Sequence, residues 1–259
     1  MLAFGLPLVI GGLAAWGLNV MDKLFLRAMS NYTELGIYSV AMSIAAVAAI
    51  LSGIFNTIWS PMVFKWESEN LVDLKKIDNI SETILVIIYF LIVLSGLFSW
   101  IIPYLLPKQY SIIQFLITTC LLGPLFYTLS ETTAVGIALT RKTKLSMLAS
   151  VGAMLVNLLG NYLLVPKYGA IGATASTAFA FWCFFILRTE FSKLVWRKIP
   201  VLRSYIIVTV LMVYSVYSMF FLKENYLVFL LIWFLLLIVG VFIFFKTLKK
   251  FLVQIKQGF

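Results

Sequence analysis

The sequence predicts an all-α integral membrane protein, a polytopic helical bundle of about eight transmembrane helices. Of its 259 residues, 63% are hydrophobic and only 12% are charged, and the mean hydropathy is +1.05. Soluble domains have about 45–50% apolar residues and about 25% charged ones. Runs such as "YLVFLLIWFLLLIVGVFIFF" (226–245) are apolar on every face. This pattern is typical of a helix in lipid, whereas the strands of a barrel alternate polar and apolar residues.

Eight apolar stretches are long enough to cross a membrane, because a hydrocarbon core about 30 Å thick takes about 17–25 helical residues. They cover approximately residues 3–26, 36–62, 83–102, 112–138, 146–165, 170–189, 205–222 and 227–245. Two connections also have amphipathic patterns. Residues 65–83 predict either a short cytoplasmic helix with Leu71, Leu74 and Ile77 on one face or a solvated linker. The tail, 246–259, predicts a basic surface helix suited to anionic lipids.

The basic residues predict the orientation in the membrane. Five of the twenty Lys and Arg residues fall in the odd-numbered connections, and these are Lys23, Arg27, Lys108, Lys167 and Lys223. The other fifteen lie in the even-numbered connections and the tail, so the positive-inside rule predicts a multi-pass protein of the plasma (inner) membrane with both termini cytoplasmic. The net charge of +10 is then mostly a topology signal and gives no reason to expect a nucleic acid partner.

Four polar or aromatic residues at the end of the first span share one helical face. Trp16, Asn19, Lys23 and Arg27 recur every three or four residues, which makes a cationic stripe. One interpretation is that the two cations reach the outer headgroups and that Asp22 pairs with one of them. The other, which we favour because Trp16 and Asn19 extend the stripe deeper, is that it lines a hydrated cavity and attracts an anion.

Ionisable residues at membrane depth are costly unless they face protein, water or a partner charge. Glu131 lies inside the fourth span, in a segment that Pro124 and neighbouring hydroxyl residues are expected to loosen. It is a candidate proton or cation site, or the counter-charge to a Lys or Arg of another span. Asp22 is the second candidate for ion coupling or for a counter-charge.

The fifth and sixth spans predict a tight helical hairpin. Asn157 and Asn161 share one face of the fifth span and, with Gly160, predict close helix packing through amide hydrogen bonds. The sequence "VPKYGAIG" predicts that this helix ends at Val165 and that the chain turns through Gly169 on the outer face before small residues begin the next helix.

Enzymatic chemistry is not expected. The chain has no histidine, and it has no D-x-D, H-E-x-x-H or G-x-S-x-G motif that would supply a base, a metal site or a nucleophile. Its two cysteines, Cys120 and Cys183, fall in separate spans, so neither a metal site nor a disulfide is predicted. No cofactor is expected either.

Three segments carry a family resemblance. The Asn pair followed by "P-x-Y-G-A-x-G-A", the early "MDKLFLRAMSNYTELGIYSVAMSIA" (21–45) and the basic turn "GIALTRKTK" (136–144) occur in order within residues 1–190. Together they resemble the polysaccharide flippases of the Wzx type, in the superfamily that includes the MATE drug exporters and the lipid II flippase.

This resemblance implies the fold of a two-lobed transporter, in which two six-helix lobes enclose a cavity that opens alternately to each side. Residues 1–190 would be the second lobe, and 191–259 would be two additional transmembrane helices and a basic cytoplasmic tail. The first lobe would be absent from the chain, so the expected partners are membrane lipid and either the missing N-terminal lobe or a second copy.

The resemblance also implies a substrate, an undecaprenyl-diphosphate-linked oligosaccharide that is flipped during polysaccharide, lipopolysaccharide or O-antigen biosynthesis. Lys23 and Arg27 would hold the diphosphate, and Trp16 and Tyr38 would stack on sugar rings. Three further cations would gather the substrate at the cytoplasmic mouth or serve only as topology signals, namely Arg141, Lys142 and Lys144.

Two other functions stay open. A non-transporting membrane partner or a remnant of such a flippase would fit the missing lobe. A cation-coupled multidrug exporter would share the fold, but it would need acidic residues in its cavity where this sequence has a cationic stripe.

Overall fold

A computed structural model describes residues 2–69, 73–221 and 225–256, and it contains helices and short connections with no strand among those residues. The α-helices are α1 Leu2–Met29, α2 Tyr32–Ser68, α3 Leu74–Leu97, α4 Ile102–Leu105, α5 Ile113–Thr133, α6 Val135–Leu139, α7 Thr143–Val195, α8 Leu202–Phe221, α9 Tyr226–Ile243 and α10 Phe245–Lys256. Short 3-10 turns lie at Ser99–Ile101 and Lys108–Tyr110.

Seven of the described helices are long and apolar enough to cross a membrane: α1, α2, α3, α5, α7, α8 and α9. Helix α7 has 53 residues and bends back at Gly169, whose φ of 52° and ψ of −128° are not helical. With the two arms of α7 counted separately, the described residues therefore form eight long apolar segments. This confirms the prediction of an all-helical fold, and its long apolar helices are compatible with a membrane bundle.

The two arms of α7, residues 143–168 and 170–195, pack against each other as a hairpin. A Cβ atom on Gly160 would lie 2.7 Å from Oγ of Ser176, and one on Gly172 would lie 2.5 Å from the carbonyl oxygen of Leu164. The turn lies at Gly169 as predicted, but the expected helix end at Val165 is wrong. The first arm continues through Pro166, because only the backbone of Gly169 leaves the helical region.

Of residues 65–83, the described ones, 65–69 and 73–83, belong mostly to α2 and α3. They do not form the separate amphipathic helix or the solvated linker that the sequence predicts. Helix α2 runs on to Ser68, and α3 begins at Leu74 after Asp73, whose Oδ1 accepts hydrogen bonds from the N–H groups of Lys75 (2.9 Å) and Lys76 (3.2 Å). This aspartate cap adds a polar turn to the start of the third span. Leu71 lies outside the described residues.

The predicted fourth span is also divided. Helix α5 passes through Pro124 without a break and ends at Thr133, and α6 follows after Ala134, whose ψ is 0°. Sixteen residues of α5 are buried, which places it at the centre of the bundle.

Helices α8 and α9 share a hydrophobic core with the earlier helices. The hydroxyl of Tyr89 donates to the carbonyl oxygen of Leu236 at 2.6 Å, and that of Tyr214 donates to the carbonyl oxygen of Phe229 at 3.0 Å. Trp233 is fully buried and packs close to Gly96. The last two apolar helices are therefore integral to the bundle in this structure.

One end of the bundle carries a set of ion pairs. Arg197, just after α7, lies 2.5 Å from Asp78 of α3, and Arg203 of α8 lies 2.8 Å from Glu82 of α3. Thr247 of α10 also donates to Glu82, at 3.0 Å. The start of α3, the end of α7 and the starts of α8 and α10 thus meet at this polar end.

Candidate functional site

Asp22 of α1 is the centre of a buried polar cluster. Its side chain is 1% exposed and accepts hydrogen bonds from side chains of α2 and of both arms of α7. The donors are the hydroxyl of Tyr38, Nδ2 of Asn157 at 3.0 Å, Nδ2 of Asn161 at 2.6 Å and the hydroxyl of Thr177 at 2.5 Å. None of the ion pairs among the described residues includes Asp22.

The α7 hairpin builds most of this cluster. Asn157 and Asn161 are four residues apart on the first arm, so both amides face Asp22. Nδ2 of Asn157 also donates to Thr177 on the second arm, at 3.1 Å, and Nδ2 of Asn161 donates to Oδ1 of Asn157, also at 3.1 Å. Gly160, between the two asparagines, allows the arms to approach this closely. Of the three residues expected to pack helices, Asn157 and Asn161 therefore bind α1, and Gly160 lies at the contact between the two arms.

One amide oxygen of the cluster has no partner. Oδ1 of Asn161 is buried and accepts no hydrogen bond from any described residue. Unpaired acceptors of this kind are costly in a low-dielectric interior. The cluster therefore contains one buried oxygen that a small cation could use as a ligand.

The expected pairing of Asp22 with Lys23 or Arg27 is not found. Successive residues of a helix point about 100° apart, so Asp22 faces the hairpin while both cations are exposed on the outside of α1. Trp16 is 64% exposed, and Asn19 is exposed and donates to the carbonyl oxygen of Ala15 at 2.9 Å. The cationic stripe thus lies along one exposed face of α1.

A cavity of about 440 Å³ lies between α1, α2, α5 and the second arm of α7. Its polar side chains are Asn19, Tyr38, Ser52, Asn56, Tyr127 and Thr177, and none of the described residues that line it is charged. Tyr38 and Thr177 both line the cavity and bind Asp22. Two hydrogen bonds therefore join Asp22 to the cavity wall.

Of the stripe residues, only Asn19 lines the cavity. The Tyr38 side chain is 1% exposed and its hydroxyl is engaged with Asp22. Tyr38 nevertheless lines the cavity, so its expected stacking on a sugar ring stays a prediction.

Glu131 pairs with a basic residue of another helix, which is the counter-charge alternative for this residue. Its Oε1 lies 2.6 Å from Nη1 of Arg188 on the second arm of α7, and the two side chains are 17% and 12% exposed. Nη1 also donates to the hydroxyl of Ser130, at 2.9 Å. Opposite charges at this depth neutralise each other.

The sequence places Arg188 at the cytoplasmic end of a span that was expected to finish at residue 189. The second arm instead continues to Val195, so Arg188 lies almost two turns inside the helix.

The remaining predicted cations lie where α6 is joined to α7, with Arg141 and Lys142 in the connection and Lys144 in the first turn of α7. Arg141, Lys142 and Lys144 are exposed, and Arg141 has a φ of 55°. Its backbone N–H donates to the carbonyl oxygen of Ala138 at 3.1 Å, which closes the turn. The exposed positions fit either role expected for these residues.

Glu34 is a further polar residue that the sequence did not indicate. It lies one helical turn before Tyr38 on α2, and its Oε2 accepts a hydrogen bond from the N–H of Ala170 at 2.8 Å. It therefore supplies a negative charge to the beginning of the second arm, where helix N–H groups have no partner in their own helix.

The atoms around Asp22 suit a proton or a hard monovalent cation. Carboxylate, amide and hydroxyl oxygens are the ligands that hard cations such as Na⁺ prefer. A cation would need the amides of Asn157 and Asn161 to rotate so that their oxygens face it, and a proton would need only the carboxylate. Neither event requires a side chain from outside the hairpin and the first two helices.

Comparisons of the chain with protein-family models, with curated proteins and with solved structures each give no match.

Proposed function

We propose that this chain is a lobe of a secondary transporter and that Asp22 is its ion-coupling residue. The observation that carries the proposal is that Asp22 is buried among four neutral donors, two of which also line the cavity. An ionisable residue inside a membrane helix is retained at considerable cost and usually has a functional role. A buried carboxylate without a basic partner is suited to exchange a proton or cation.

Coupling would act through Tyr38 and Thr177. While Asp22 is ionised and empty, both hydroxyls donate to it and fix α2 and the hairpin against α1. A proton or a cation on Asp22 removes the need for these hydrogen bonds. The cavity walls are then free to separate, which is the local event that alternating access requires.

The proposed substrate is a diphosphate-linked oligosaccharide carried by a polyprenyl lipid, as the resemblance to flippases of the Wzx type implies. Lys23 and Arg27 lie exposed on the helix that contributes Asn19 to the cavity wall. Their charge attracts a diphosphate, and the lack of acidic residues among the described cavity residues favours an anionic substrate over the organic cations of a multidrug exporter.

The proposed setting is the plasma membrane, with the polar end formed by α3, α8 and α10 on the cytoplasmic side. A first lobe or a second copy of the chain would complete the transport cavity. Cross-linking of epitope-tagged and untagged copies tests self-pairing, and a non-transporting partner would be recovered only with other proteins.

The experiment uses the purified chain in proteoliposomes with a fluorescent oligosaccharide linked through diphosphate to a polyprenyl lipid. We expect the chain to speed transfer of the label between leaflets and the substitution Asp22→Asn to abolish this transfer. Glu67→Gln, the same chemical change at an exposed residue of α2, is the matched control. If the wild-type chain, with tagged copies cross-linked as a pair, transfers the label no faster than protein-free vesicles do, a second copy does not complete the cavity. Transfer by Asp22→Asn at the wild-type rate would contradict the coupling role of Asp22.

A further inference from the structure

A second, smaller pocket lies farther along three of the elements that line the cavity, which are α2, α5 and the second arm of α7. On α2 the cavity ends at Asn56 and the pocket begins at Trp59. On α5 the lining passes from Tyr127 to Glu131, and on the second arm of α7 it passes from Phe184 to Arg188. The pocket, of about 50 Å³, therefore lies about one helical turn beyond the cavity, and we call the cavity and the pocket together the groove.

A layer of two aromatic rings and one guanidinium separates the cavity from the pocket. The rings of Tyr127 and Phe184 stack with centroids 6.0 Å apart and an angle of 7° between their planes. Cζ of Arg188 lies 5.1 Å from the centroid of Phe184 and 5.9 Å from that of Tyr127. The rings hold the guanidinium in place from the cavity side.

Arg188 has bonding capacity that its protein partners do not use. Its Nη1 is bound to Glu131 and Ser130, but its Nε is buried and has no hydrogen-bond partner among the described residues. A guanidinium carries five N–H donors in a flat fork that matches two oxygens of a carboxylate or a phosphate. Glu131 uses this fork through a single oxygen.

We propose that Arg188 is a phosphate-binding residue of the groove and that Glu131 is the anion that occupies it when no ligand is bound. The ligand class is a phosphate ester or diphosphate, which would take the guanidinium through two oxygens and displace the Glu131 carboxylate. The proposal rests on the proposed function for the assignment of that anion to a polyprenyl lipid. It adds a binding position at the opposite end of the groove from Asp22.

The test measures binding of a soluble polyprenyl diphosphate analogue to the full chain in nanodiscs of neutral lipid by calorimetry. The corresponding alcohol, inorganic diphosphate and phosphatidylglycerol are measured in parallel. We expect the diphosphate to bind more tightly than the alcohol, and Arg188→Gln to weaken diphosphate binding by about tenfold or more, the usual effect of losing a charged hydrogen bond. We expect Glu131→Gln to strengthen it, because the competing carboxylate is gone.

These opposite signs separate a binding role from a structural one. If Glu131 and Arg188 only hold α5 against α7, both single substitutions should weaken binding alike, and that outcome overturns the proposal. The double variant, Glu131→Gln with Arg188→Gln, leaves no unpaired buried charge and should bind the diphosphate as weakly as Arg188→Gln alone. Arg203→Gln, which breaks a partly exposed pair with Glu82, is the matched control and should bind as the wild type does.

The remaining outcomes distinguish this site from the proposed function. Tight binding of the polyprenyl diphosphate that Arg188→Gln leaves unchanged overturns the site and supports the proposed substrate. Equal, Arg188-dependent binding of inorganic diphosphate or phosphatidylglycerol supports the site and contradicts the assignment to a polyprenyl lipid. No preference of the wild type for any phosphate over the alcohol overturns both.

Discussion

The carboxylate of Glu34 occupies the space that a side chain on Gly169 would need. A Cβ atom built on Gly169 overlaps Oε2, Cδ and Cγ of Glu34, while that same Oε2 accepts the hydrogen bond from Ala170. The turn of the hairpin, and therefore the alignment of Asn157 with Thr177 on opposite arms, depends on this contact between α2 and α7.

Substitution of Gly169 by Ala should destabilise the protein. The backbone at this position has a φ of 52°, which L-residues rarely adopt, and the added methyl group would displace Glu34. We expect a loss of about 1–3 kcal/mol in the free energy of unfolding, measured by denaturant unfolding in detergent micelles. Gly36→Ala is the control, because it lies inside α2 with no atom within 4 Å of the new methyl group. It should be neutral or slightly stabilising, and an equal loss at both positions would contradict this account.

Glu34→Gln and Glu34→Ala should differ in their effect on stability. Glutamine keeps an oxygen that accepts the Ala170 N–H but removes the charge at the helix start, which costs about 0.3–1 kcal/mol. Alanine also removes the acceptor, and we expect a loss of about 1–2 kcal/mol. The same unfolding measurement tests the order of the two variants. Equal stability of both variants with the wild type would show that this cap is not needed.

Thr177→Val should weaken the cluster at Asp22 while it preserves side-chain shape. The substitution removes the hydroxyl that donates to Asp22 and accepts from Asn157. Hydrogen bonds between membrane helices contribute about 0.6–2 kcal/mol, and we expect a loss of stability in that range. Thr57→Val is the control, since the Thr57 hydroxyl is exposed and binds only the carbonyl oxygen of Gly53 in its own helix. A loss as large for Thr57→Val as for Thr177→Val would count against a special role of the cluster.

Two ion pairs of the protein should differ in strength according to burial. The pair of Arg197 with Asp78 joins two parts of the chain through two hydrogen bonds and is partly buried. We expect Asp78→Ala to cost about 1–3 kcal/mol, because it leaves a charged group without its partner. The pair of Lys65 with Glu69 is exposed and 3.8 Å long, so Glu69→Ala should change stability by less than about 0.5 kcal/mol. Thermal unfolding at low and high salt compares the two variants, and equal effects would contradict this ranking.

The apolar runs of the sequence were sufficient to predict the long helices and where most of them lie along the chain. The length of an apolar run decides whether a segment can cross a membrane. Gly169 was predictable as the turn because glycine adopts a positive φ more easily than other residues do. The end of α2 was predicted less well, because polar helix ends carry no length signal. Helix α2 continues beyond the apolar run to Ser68. Lys65 on its surface pairs with Glu69, the residue after its end, and Nζ of Lys76 lies 4.5 Å from the centroid of the Trp66 ring.

The candidate site was only partly predictable, because side-chain direction depends on packing between segments that are distant in sequence. Composition marked Asp22, Asn157 and Asn161 as unusual in a membrane helix, but it did not show that they meet. Asp22 and Lys23 are neighbours in sequence with opposite environments, and only the contact with the hairpin decides which one is buried. Arg188 was missed because a basic residue near the end of an apolar run is normally an interface residue.

The most direct test of the central claim is whether an ion stabilises the protein through Asp22. The thermal unfolding midpoint of the full chain is measured in detergent across a Na⁺ titration at constant ionic strength, and across pH 5 to 8 without Na⁺, for the wild type and for Asp22→Asn. A ligand that binds only the folded state raises this midpoint. We predict that Na⁺ or protons raise the midpoint of the wild type and that Asp22→Asn removes the response to that ion. The same response in both proteins, or none in the wild type to either ion, would contradict the assignment of Asp22 as the coupling residue.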